Sequence, residues 1–140
     1  MNDWVPDSRT EQEAIFIREL AATNSELQWY PHDAKDGSPW LIVSYDMVVG
    51  HTILDTLRLD YDGECIRGGW SPAFLNWDDG VPAIEAGIEL SPPDGIERHG
   101  TPSDLARIAA EWFADHIARW PCSERRARWK LPGDRQRLGE

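Results

Sequence analysis

The chain has 140 residues, 25 acidic against 14 basic side chains and a formal charge of −11, enough length for one domain with its own hydrophobic core. That charge disfavours unaided binding to a nucleic-acid backbone or an anionic lipid surface, because the summed field repels both, and it favours a protein partner with a basic surface. The opening MNDWVPDSRTEQEA has neither a basic nor an apolar leader character, and no window approaches the ~18 apolar residues of a membrane span, so a cytoplasmic protein is expected.

The charge is unevenly placed. Residues 1–118 carry 7 Lys+Arg against 22 Asp+Glu, formally −15, whereas residues 119–140 carry 7 against 3, formally +4. An acidic body and a short basic tail result.

The first periodic segment, Ser8 to Ala22, repeats Ala14, Ile17 and Leu20/Ala21 at helical spacing, with Glu11 and Glu13 where the helix dipole favours acids. After Thr23-Asn24-Ser25 come ELQWY, a loop PHDAKDGSP, and WLIVSYD, whose β-branched and aromatic content predicts a strand. From Thr52 to Trp70 two strand-like runs flank Asp62-Gly63, a pair suited to a tight hairpin turn that would set Tyr61 against Glu64 and Leu59 against Ile66. Leu57, Leu59, Tyr61, Ile66 and Trp70 then share one face, and Arg58, Asp60 and Arg67 the other. Asp55 falls opposite Trp70 on the apolar face, where a carboxylate is either at a strand end or in need of a partner.

Residues 71–100 are rich in turn formers, with one or two short strands expected among them. Thr101 has the character of an N-cap, followed by Pro102 and a helix whose apolar face is Leu105, Ile108, Ala109, Trp112, Phe113, His116, Ile117 and Trp120, ended by Pro121. RRARWKLP predicts a short closing strand with Ala127 and Trp129 on one side. The whole predicts a single α+β domain over residues 1–132, an antiparallel meander with an N-terminal and a long C-terminal helix on one sheet face, and a disordered tail over 133–140. The uncovered sheet face is the expected place for function.

No arrangement of side chains announces a reaction. The histidines make none of the metal-binding spacings, no serine lies in GxSxG, and Cys65 and Cys122 form no CxxC, so no catalytic residue, metal or cofactor is expected and the cysteines read as two buried thiols. Asp78, Asp79, Glu85 and Glu89 could offer oxygens to a divalent cation, but without the EF-hand spacing they read as a solvated turn. Trp77, Asp78 and Asp79 share that turn and, with Trp40 and Glu85, are the predicted interface, since loop tryptophans beside acids suit protein anchors as well as they suit sealing a core edge. His51, Asp55, Trp70 and His116 are the candidate polar and aromatic contacts of a small ligand. His116 reads first as a boundary histidine satisfied by one hydrogen bond.

The helix LARIAAEWFADHIARWP, Leu105 to Pro121, followed by Trp129 resembles the C-terminal part of small actinobacterial immunity proteins of polymorphic toxin systems, of the Imm1-like kind. Where those proteins close with Gly-x-Arg-Pro, this chain has Ala118-Arg119-Trp120-Pro121. The resemblance implies a protein that binds and occludes a cognate toxin, without catalysis or cofactor. Composition and resemblance together predict an acidic, non-catalytic protein-binding domain, monomeric or homodimeric. The alternatives are a small-molecule-binding domain or enzyme with an aromatic pocket, and an accessory subunit of a larger assembly.

Overall fold

The computed structural model describes residues 10–34, 36–71, 82–83 and 85–128. Its first helix, α1 (Glu11–Thr23), is capped by Thr10, whose hydroxyl accepts the Glu13 N–H at 3.0 Å, and it buries Phe16, Ile17 and Leu20. Five strands follow as an antiparallel sheet in the order of the chain: β1 (Gln28–Asp33), β2 (Pro39–Val49), β3 (Thr52–Tyr61), β4 (Cys65–Trp70) and β5 (Ile96–His99). Pro31 to Asp33 belong to β1, not to the loop expected there. A proline without an N–H is tolerated because β1 is an edge strand.

The β3–β4 hairpin forms one step away from the expected position. Tyr61 pairs with Ile66 and Leu57 with Trp70, so Gly63 and Glu64 are the loop residues and Gly63 has a φ of +102°. The reason is Asp62, whose carboxylate accepts the N–H groups of both Glu64 and Cys65 at 2.9 Å and so fixes the residue before the turn. A shift of two residues leaves every side chain on its face.

The long helix α2 (Pro102–Arg119) has the expected cap, with the Thr101 hydroxyl accepting the Asp104 N–H at 3.1 Å. It packs beside α1 on one sheet face, where Leu41, Val43, Leu57, Leu59, Tyr61 and Ile66 meet Phe16, Leu105, Trp112 and Phe113 in the main core. Phe16 and Tyr61 stack with centroids 4.0 Å apart. Each large apolar side chain removed from water here contributes roughly 1.5–3 kcal/mol.

The other sheet face, expected to be open, is covered at its centre. Ser44, Thr56, Arg58 and Asp60 are all buried, with Arg58 only 1% exposed. Asp60 receives Arg58 in a two-pronged pair, Nε to Oδ1 at 2.9 Å and one terminal nitrogen to Oδ2 at 3.2 Å, and Oδ2 also accepts the Ala83 N–H at 2.8 Å. A Cβ built on Gly69 would lie 2.5 Å from the Glu89 carbonyl oxygen, so Ala83 lies over β3, and Ile88 and Glu89 over β4, as a strap. Close approach of that strap needs a residue with no side chain at this point of β4.

After α2 come a 3₁₀ turn (Trp120–Cys122) and a short helix, α3 (Glu124–Ala127). The closing strand is therefore replaced, in its described part, by helix. Ser123 caps it by accepting the Arg126 N–H, and this local bond outweighs the brief alternation of Ala127 and Trp129. Trp129 and the expected tail lie outside the described residues. Cys65 is buried and Cys122 exposed, so the pair of buried thiols is corrected to one, and both are free.

Candidate interaction site

Alternate turns of a meander emerge at the same end of the sheet, so the β1–β2 turn and the β3–β4 turn lie side by side. Each carries acid. Together with Pro82 and Ala83 of the strap they enclose a concavity of about 420 Å3, whose apolar wall is Pro39 and Trp40, backed by Tyr61, and whose charged groups are Asp36, Asp60, Asp62, Glu64 and Arg67.

These charges are not equivalent. Asp60 is committed to Arg58, and Arg67 is held by Glu97 at 3.0 Å and Asp62 at 3.3 Å. Burial works to lower the Arg67 pKa, but hydrogen bonds and charge from Glu97, Asp62 and Cys65 raise it on balance. Asp36 and Glu64 are exposed and lie in no ion pair among the described residues. The side chain and backbone of Ser38 hold the Asp36 carboxyl below its ordinary value, which favours its charged form. The arrangement offers uncompensated negative charge beside an aromatic wall, a fit for the basic side chains of a partner. Tyr61, wholly buried behind this wall, has its phenol pushed up to about 12 by burial and by the charges of Asp62 and Glu13.

Of the interface residues predicted from sequence, Trp40 is 7% exposed and so serves chiefly to seal the sheet edge, stacking near His32 at 5.2 Å, rather than standing out in a loop. Glu85 is exposed, on the turn closed by the Ala86 N–H to Pro82 carbonyl bond, two residues beyond the Ala83 that lines the concavity. Trp77, Asp78 and Asp79 lie outside the described residues. Asp36, Asp62 and Glu64 were not foreseen as site residues, although the meander order together with the turn sequences Asp36-Gly37 and Asp62-Gly63-Glu64 places them at one end.

The four candidate ligand contacts divide. His51 stands exposed in the β2–β3 turn, whereas Asp55, Trp70 and His116 converge near the C-terminal end of α2. The Asp55 carboxylate accepts the Trp120 indole N–H at 2.7 Å on one oxygen and Arg125 at 2.7 Å on the other, and the Arg125 guanidinium lies 4.5 Å above the Trp70 ring. His116 is buried with Nδ1 2.9 Å from the Trp112 carbonyl oxygen, which makes Nδ1 the donor and leaves Nε2 facing Asp94 at 3.6 Å and Arg119 at 3.5 Å. Both oxygens of Asp55 are thus engaged in fastening the turns that follow α2 to the sheet. A cavity of about 290 Å3 adjoins this cluster, lined by Trp70, His116 and Trp120 and by the charged groups of Asp94, Glu124, Arg119, Arg125 and Arg128.

Among the described residues no group of His, Cys, Asp or Glu is arranged to hold a metal, and no helix is long and apolar enough to cross a membrane. No family model, no curated protein and no solved structure matches the chain.

Proposed function

We propose that this protein is a non-catalytic binding domain for a basic protein partner, and that it acts as an immunity or inhibitor protein that occludes a cognate toxin. The observation that carries the reading is how the described charges are spent. Arg58, Arg67, Arg107, Arg119 and Arg125 are each tied to a carboxylate of the same chain, and Arg18, Arg98 and Arg128 are the exposed arginines among the described residues that lie in no ion pair. Exposed acids such as Glu26, Asp36, Glu64 and Glu85 have no such cation, so the net negative charge of the composition is carried on the surface. A surface of this kind accelerates encounter with a basic face and penalises acidic competitors. The concavity beside Trp40 supplies the place where such a face would be gripped, and the resemblance of Leu105 to Pro121 to immunity proteins supplies the biological setting.

The test is affinity capture from lysate of the native host with mass spectrometry, comparing wild type with an Asp36→Lys, Glu64→Lys variant shown to be folded. Capture of one basic partner by the wild type and its loss from the variant is the expected result. A partner held equally by both, or an acidic one, would sink the reading.

A further inference from the structure

The opposite end of the sheet holds a second concavity, about 510 Å3, between the start of β1, the end of β2 and the C-terminal end of α2. Its apolar surface comes from Met47, Val48, Ile117 and Trp120, and Val48, at 52%, is the exposed large hydrophobic side chain among the described residues. Two carboxylates stand in it, Glu26 and Asp46, and neither lies in an ion pair among the described residues. Tyr45 and Thr56 donate to them through hydroxyl groups, at 3.4 and 2.8 Å, which leaves the charge itself unanswered. Burial and the neighbouring Glu26 raise the Tyr45 phenol, so it remains a neutral donor.

We infer that this groove docks a segment of the protein partner in which a lysine or arginine adjoins an apolar residue. The apolar side chain would cover Val48 and Ile117, and the cationic head would pair with Glu26 with its methylene stem along Trp120, while Asp46, turned to Thr56 on the other face of β2, adds its negative field. A long basic side chain is the group that satisfies both halves of the groove at once, because it carries an apolar stem and a charged tip. An acidic segment would be repelled by the two carboxylates, and a purely apolar one would desolvate them without a partner. The inference rests on the reading of the partner as basic and adds a second contact at the far end of the sheet from Trp40.

The groove is tested by NMR titration of the ¹⁵N-labelled protein with acetyl-Arg-Leu-Arg-Leu-Arg-amide, with the corresponding Glu-Leu peptide as the control. Saturable shifts centred on Glu26, Val48 and Ile117 with the basic peptide only are expected. They should weaken at least about tenfold in a folded Val48→Lys variant, where a like charge is placed in the site. Shifts of the basic peptide confined to the Asp36–Glu64 concavity, or unchanged by Val48→Lys, would overturn the groove and leave the basic-partner reading standing. Equal responses to the two peptides, or no saturable response to either, would overturn both.

Discussion

The carboxylate of Asp55 is the sharpest point at which the architecture can be tested. It sits on β3 at 8% exposure and is the shared acceptor for Trp120 and Arg125, so Asp55→Ala strands two donors at once. A buried indole N–H without an acceptor costs about 1–3 kcal/mol. The Arg125 side chain is 25% exposed and can turn partly to water, which keeps its loss below the ~3–5 kcal/mol of a fully buried broken pair. The sum expected for Asp55→Ala is about 3 kcal/mol, and for Asp55→Asn, which keeps an acceptor for the indole, about 1–1.5 kcal/mol. Fluorescence-detected urea unfolding reads both as a lower midpoint at unchanged slope. A double-mutant cycle with Arg125→Met should return a coupling of about 1 kcal/mol, since the two residues are in direct contact. If Asp55→Ala falls within about 0.5 kcal/mol of wild type, or the coupling is nil, the carboxylate is not the fastening described.

Three further outcomes are expected. Gly69→Ala should destabilise the protein by about 1–3 kcal/mol, because its Cβ would meet the Glu89 carbonyl oxygen at 2.5 Å and Ile88 at 2.9 Å, whereas Gly100→Ala, whose nearest neighbour would be 3.6 Å away, should be close to neutral by the same denaturation assay. The unfolded chain loses the Tyr61 proton near 10, while the folded protein keeps it to about 12; the raised value means stability is whole below 10 and declines as the pH climbs towards 12. Spectrophotometric titration should show that late phenol, and Tyr61→Phe should remove both it and its share of the alkaline loss. In the native state Ellman's reagent should label Cys122 alone, with Cys65, buried and with its thiol pushed up chiefly by burial, reacting only on unfolding; rapid labelling of both would contradict the described packing.

Much of the fold was legible because it is written locally. Helical spacing and caps locate α1 and α2, and β-branched runs locate β2, β3 and β4. What escaped depends on contacts between distant segments. The pair Asp62-Gly63 marks a turn, but which two residues form its loop is decided by the Asp62 side chain capturing the N–H groups that follow it. Arg58 and Asp60 alternate like a solvent face, and only the strap over Ala83 and Glu89, a stretch without periodicity, buries them. Trp40 borders a loop in sequence, yet sheet pairing and the concavity's wall enclose it. The position of Asp55 already demanded a partner; no spacing rule could point to donors 65 and 70 residues further on. For the candidate site, the turn acids are legible once the strands form a meander, since the first and third turns must share an end.

The Asp55 fastening also bears on how the molecule comes into being. A ribosome delivers β3 with its aspartate long before it releases Trp120 and Arg125, so during synthesis the middle of the sheet carries an apolar-face carboxylate with nothing to meet it. Desolvating that charge without its partners opposes closure of this part of the sheet. Burial of the Asp55 end of β3 is therefore expected to wait until the residues that follow α2, Trp120 and Arg125 among them, are available to meet it.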